Sequence, residues 1–92
     1  MVDAAHAAIM MAGQTPPSPE HIPEMLRRIF VDKGLLQRKY TDWFKEIYGL
    51  AHHVSRGNII EISGTKIQMY RDRADDFVGV MANIIRQIEK RL

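Results

Sequence analysis

Apolar side chains recur through the last third of the chain at Ile67, Tyr70, Ala74, Phe77, Met81, Ile84, Ile88 and Leu92. Steps of three and four residues place them on one stripe, which predicts a single long helix from Ser63 to Leu92. Val78 and Ile85 widen that stripe, as in a helix set against more than one neighbour. No proline interrupts the stretch, and Gly79 is the one interior breaker beyond Gly64, at about 1 kcal/mol relative to alanine. Ser63 or Thr65 can receive the first backbone N–H groups as N-cap, and Arg86, Lys90 and Arg91 suit the negative end of the helix dipole. A lone helix cannot hide such a stripe, so the segments upstream must cover it.

Those segments also read as helices. Val2–Ala12 is alanine-rich, carries Asp3 in its first turn, and puts Ala4, Ala5, Ala8, Ile9 and Ala12 on an apolar face of small residues. Gly13 ends it. The stiff QTPPSP loop, Gln14 to Pro19, excludes helix and connects two packed elements. A second helix from Pro23 to Val31 points Met25, Leu26, Ile29 and Phe30 inward and Arg27 and Arg28 outward, with Asp32, Lys33 and Gly34 stopping it. Leu35 and Leu36 lead into a third helix, Gln37 to Val54, with Tyr40, Phe44, Ile47, Ala51 and Val54 facing inward, supplemented by Trp43, Tyr48 and Leu50. Trp43 and Phe44 suit core anchoring better than base stacking. Arg56, Gly57 and Asn58 break this helix. Ile59-Ile60-Glu61-Ile62 has the composition of a strand but no partner strand, so it reads as a connector tucked against the bundle. There is no internal repeat.

The whole, residues 1–92, reads as one all-α domain, an antiparallel bundle of about four helices. At this length folding buries only about 60–65% of the unfolded surface, which leaves a thin margin. A composition 46% hydrophobic and 26% charged excludes a disordered chain. No cysteine means no disulfide and no thiolate metal site, which suits a cytoplasmic protein. No apolar run nears the roughly 18 residues that span a membrane, and Asp3 and His6 with no leading basic cluster make a poor secretory signal. Residues 1–65 hold seven basic and seven acidic side chains and residues 66–92 hold six and four, so the net charge of +2 sits on the last helix. That surplus is too small to require nucleic acid, which is usually gripped by a clustered basic face.

Little of the chain carries chemistry. His6, His21, His52 and His53 form no i, i+4 pair and no HExxH, so no metal site is expected. His52 and His53 are adjacent, about 100° apart on a helix, and cannot easily chelate one ion together. With Ser55, Arg56 and Asn58 they form the densest polar cluster, in which a histidine beside an arginine could move a proton and steady a phosphate. A second cluster, Arg71, Asp72, Arg73, Asp75 and Asp76, has the mixed sign and helical spacing of a solvated, salt-bridged face. There is no phosphate-binding glycine loop, no nucleophile elbow and no Cys–His pair, so an autonomous enzyme is not expected, nor is a cofactor.

The order of segments resembles the HEPN superfamily (higher eukaryotes and prokaryotes nucleotide-binding). The stretches concerned are DAAHAAIMMAG, the proline loop and its helix, FVDKGLLQRKY, WFKEIYGLAHHV, EISG and RADDFVGVMANII. The chain is most similar to the helical domain that follows a minimal nucleotidyltransferase domain in some archaeal proteins. The resemblance covers nearly the whole chain, most specifically VDKGLL, the LAHHV region and EISG with its helix. It implies an antiparallel four- or five-helix bundle, dimerisation, and a nucleotidyltransferase in the same chain or as a neighbour. Many members are metal-independent ribonucleases through an Arg-x(4–6)-His motif. Here Arg38, Arg56 and Arg71 have no histidine at that spacing, and His52 and His53 precede Arg56 instead, so no catalytic residue is carried over. The family's first helix has no counterpart, so an apolar groove beside Val2–Ala12 and Ser63–Leu92 is expected, covered by a second copy or an upstream domain.

These readings lead to a non-catalytic binding or assembly module that forms a homodimer, supports a nucleotidyltransferase, and contacts nucleotide or RNA through His52, His53, Arg56, Arg71 and Arg73. Two rivals stand beside it: a ribonuclease toxin of a toxin–antitoxin pair using the His52/His53/Arg56 cluster, and a purely structural dimerisation domain.

Overall fold

The computed structural model describes residues 1–55 and 63–91. Expectations placed on Arg56, Asn58, the connector 59–62, Leu92 and the side chains of Val54 and Ser55 lie outside the described residues. Four α-helices stand among the described residues: α1 (Val2–Met11), α2 (Ile22–Leu26), α3 (Arg38–Ser55) and α4 (Gly64–Glu89). There is no strand among the described residues.

The helices touch in ring order, α1 on α4, α4 on α3, α3 on α2 and α2 on α1, with the α1–α4 contact the most extensive. Helices α3 and α4 run antiparallel. Tyr40 reaches Asp76, whereas Glu46, farther along α3, reaches Tyr70 and Arg73, farther back on α4. Inside the ring lies one core: Ala5, Ala8 and Ile9 of α1, Ile22, Met25 and Leu26 of α2, Ile29, Phe30 and Leu36 after it, Tyr40 and Phe44 of α3, and Phe77, Met81 and Ile84 of α4. The rings of Phe44 and Phe77 sit 5.8 Å apart and those of Tyr40 and Phe77 6.5 Å apart, so Phe77 joins α4 to α3.

The local chemistry explains the helix ends. Gly13 and Gly34 take φ of +87° and +75°, backbone geometry that side chains with a Cβ resist, and so end α1 and turn the chain after Val31. Of the two candidate caps for α4 the hydroxyl of Ser63 serves, accepting the Lys66 N–H at 3.3 Å.

The second helix departs from the expected continuous Pro23–Val31. A 3₁₀ turn, Pro19–His21, precedes α2, and a π turn, Arg27–Val31, follows it. The wider turn is closed by Asp32 N–H to Arg27 C=O and Leu35 N–H to Phe30 C=O, both 2.9 Å and both spanning five residues. Arg27 pairs with Glu24 on one side and with Asp32, at 3.0 Å, on the other, clamping the turn where the chain swings toward Gly34.

The core is also shorter than the helices that frame it. Ala12, Ala51 and Ile67, expected to face inward, are exposed, and Ile47, Tyr70 and Ala74 are only half-buried. The reason is length. Helix α4, at 26 residues, runs roughly 39 Å, whereas α1 has 10 residues and α2 only 5. Every buried residue of α4 lies at Phe77 or beyond, and among the described residues those of α3 lie at or before Phe44. The second half of α3 and the first half of α4 therefore extend past the core as a two-helix arm.

Candidate functional site

Of the sequence-predicted site residues, His52, His53, Arg71 and Arg73 lie on that arm, on different sides of it. In α3, His52 follows Tyr48 and Phe44 at four-residue spacing, and the three rings stack in series. Centroids are 5.7 Å apart for Phe44–Tyr48 and 5.9 Å for Tyr48–His52, with planes tilted by 12° and 22°. His52 thus continues a column rooted in the core. The Tyr48 hydroxyl points to Glu20 at 3.4 Å, linking the column to the turn before α2. Burial and the neighbouring Glu20 charge push the Tyr48 phenol up. Hydrogen bonding from Ser18, and then from backbone, lowers the Glu20 carboxyl.

His53 sits about 100° round α3 from His52, on the line of Glu46. Glu46 faces the start of α4, where a polar cluster forms. Glu46 accepts from the Tyr70 hydroxyl at 3.0 Å and from Arg73 Nη1 at 3.1 Å. Arg73 also lies over the Trp43 ring, 5.1 Å from its centroid, and Lys39 Nζ approaches the same ring at 5.1 Å and Tyr40 at 5.2 Å. The Glu46 hydrogen bond, helped by burial, raises the Tyr70 phenol.

This arrangement corrects the expected salt-bridged face on α4. Arg73 pairs across the interface with Glu46, Asp76 accepts from Tyr40 at 3.1 Å, and Asp72 accepts from Gln68 at 2.9 Å. Arg73 closes no ion pair with these aspartates because α3 lies alongside and offers it Glu46 at better reach. Arg71, one position round from the contact, is exposed. Trp43 anchors at the edge of the core: it is half-buried, packs on Tyr40 edge to face at 5.2 Å, and carries two cations. Glu46, the hub of the cluster, was not singled out in the sequence. Its signal was its three-residue spacing from Trp43, visible only once α4 was known to run alongside. Thr41 was passed over as well. It is buried, and its hydroxyl donates to the Arg38 carbonyl at 2.7 Å.

The site residues therefore divide. Arg73 joins Trp43, Lys39, Glu46 and Tyr70; His52 joins Tyr48 and Phe44; Arg71 stands apart on the α4 surface. No group of three or more His, Asp or Glu side chains among the described residues could hold a metal ion. Among them, too, no helix is long and apolar enough to cross a membrane.

The Tyr40–Asp76 bond yields an alkaline prediction. Burial, then the Asp76 hydrogen bond and charge, raises the Tyr40 phenol above its ordinary value near 10. A group raised on folding contributes stability that is whole below its unfolded pKa and lost as pH rises through the folded one. The urea midpoint should thus fall above pH 10, and Tyr40→Phe should flatten part of that fall. An unchanged alkaline slope in the variant would assign the loss to the other tyrosines.

Comparison with protein families, with curated proteins and with solved structures finds no match to this chain. The HEPN resemblance stands on the sequence segments alone.

Proposed function

We propose that this chain is a non-catalytic binding and assembly module of the HEPN type, which pairs with a second copy of itself and serves a nucleotidyltransferase. The observation that carries the reading is an apolar edge on α4 that the core covers only in part. Ile67, Ala74, Val78 and Ile85 fall within about 20° of one direction on the helix, roughly 70° from the buried stripe. Ile85 packs partly on the core, but Ile67 and Val78 remain 42% and 43% exposed. A helix whose apolar stripe is wider than the part its own core covers is shaped for a further neighbour.

The second copy is the occupant we favour, because an isologous contact covers the same line on both partners at once. Light scattering across micromolar concentrations should return twice the mass of the 10.6 kDa chain, and Val78→Glu should return the single mass with helicity unchanged. A single mass for the unaltered protein throughout would end the dimer reading.

Nucleotide or RNA is the ligand class we propose for the arm, contacted by His52, His53 and Arg56 with Arg71 and Arg73. The supporting feature is the pair of cations, Lys39 and Arg73, gathered at the half-buried Trp43 ring, which offers positive charge to a phosphate backbone. Titrating labelled protein with ATP and with a short single-stranded RNA should move the amides of these residues. Silence at millimolar ligand would leave the assembly role alone. RNA cleavage lost in His52→Ala/His53→Ala protein would instead favour the ribonuclease alternative.

A further inference from the structure

The loop that leads from α1 to α2 passes over the side of α2 and leaves a groove of about 350 Å³, lined among others by Gln14, Pro17, His21, Glu24, Met25 and Arg28. That volume lies within the usual range for small-ligand sites. The charges in it are unequally matched. Glu24 is engaged by Arg27 through two hydrogen bonds, one from Nε at 3.1 Å and a second from Nη2, which leaves its charge largely neutralised. Hydrogen bonding to Arg27 accordingly lowers its carboxyl below the ordinary value. Arg28 is different. Its Nη2 donates to the neutral side-chain oxygen of Gln14 at 3.0 Å, and no ion pair among the described residues includes it. The guanidinium is thus oriented without a close ion pair, Glu24 acting on it only through its charge beyond ion-pair distance. Beside it the His21 ring is fixed by a 2.8 Å contact between its Nδ1 and Ser18 Oγ. Met25, buried, and Pro17 supply apolar surface.

From this combination we infer that the groove binds a small organic carboxylate, its acid group on Arg28 and its apolar body against Met25 and Pro17. A planar guanidinium takes a carboxylate through two parallel hydrogen bonds. The apolar surface sets the ligand apart from a bare inorganic anion. Two sources present that chemistry, a free small acid and the carboxylate end of a peptide with an apolar last residue.

The test is an amide-shift titration of the whole chain with benzoate, benzamide and inorganic phosphate. Benzoate should move Gln14, His21, Met25 and Arg28, and benzamide should bind at least about tenfold more weakly, because it cannot form the charge-assisted bonds. Arg28→Gln, a change at an exposed position, should erase that difference and leave the rest of the spectrum in place. Equal binding of benzoate and benzamide, no effect of Arg28→Gln, phosphate acting as strongly as benzoate, or no shifts at all would each overturn the inference. A peptide ending in leucine with a free carboxylate separates the sources. Tighter binding than benzoate, lost on amidation, assigns the groove to a chain end; binding no tighter assigns it to a small acid.

Discussion

Phe77→Ala is expected to lower the unfolding free energy by about 3–5 kcal/mol, the usual range for emptying a fully buried phenylalanine site. Phe77 has no exposed surface and meets both Phe44 and Tyr40, so the cavity would open at the joint between α3 and α4. A chain of this size holds on the order of 5–10 kcal/mol in all, so the variant should sit near the edge of folding. Urea unfolding followed by circular dichroism measures it. A loss under about 1 kcal/mol would mean that α4 does not present this face to the core. Gly79→Ala, two residues on, should go the other way. Gly79 lies inside the helix with nothing within 4 Å of where a Cβ would stand. Removing its extra backbone freedom should add roughly 0.5–1 kcal/mol.

The second large effect concerns α1. Ala8→Leu should cost about 1–3 kcal/mol by overpacking, since Ala8 is fully buried in the ring of helices where α1 meets α4. Its neighbour Ala7 is exposed, and Ala7→Leu should change stability by less than about 0.5 kcal/mol. Both substitutions keep a good helix former, so the difference isolates packing from propensity. Equal effects would mean that the small residues of α1 are there for helix formation and not for close approach to α4.

Much of this packing was legible in the residues. The apolar spacing of Phe77, Met81 and Ile84, of Met25, Leu26, Ile29 and Phe30, and of Tyr40 and Phe44 marked the inward faces, because burial on a helix must repeat near every 3.6 residues. Gly13, Gly34 and Ser63 marked ends, because the left-handed turn and the N-cap each require particular chemistry. The π turn after Leu26 was not legible. Its pattern of inward residues is the one an unbroken α-helix would show, and the hydrogen bonds to Asp32 and Leu35 leave no mark in composition.

The candidate site was legible in part. The arginine of the α4 cluster that matters to the fold, Arg73, was named, but its partner was sought among aspartates on its own helix. Sequence spacing can rank neighbours only within one helix. It cannot say that Glu46, 27 positions away, would lie closer to Arg73 than those aspartates do. His52 was named for its proton, whereas the structure places it at the end of an aromatic column. The groove at Arg28 leaves no mark in the sequence for the same reason, since Gln14 and Arg28 meet only when the proline loop folds over α2.

The sequence by itself determined that this chain is helical, which residues of each helix face the core where the core reaches, and where several helices end, because those properties depend on local spacing and on single-residue chemistry. The tertiary structure decided which helices touch, how far the core reaches along α3 and α4, and which charges meet. Those outcomes depend on the unequal lengths of the four helices and on their antiparallel alignment, distances through space that no local pattern encodes.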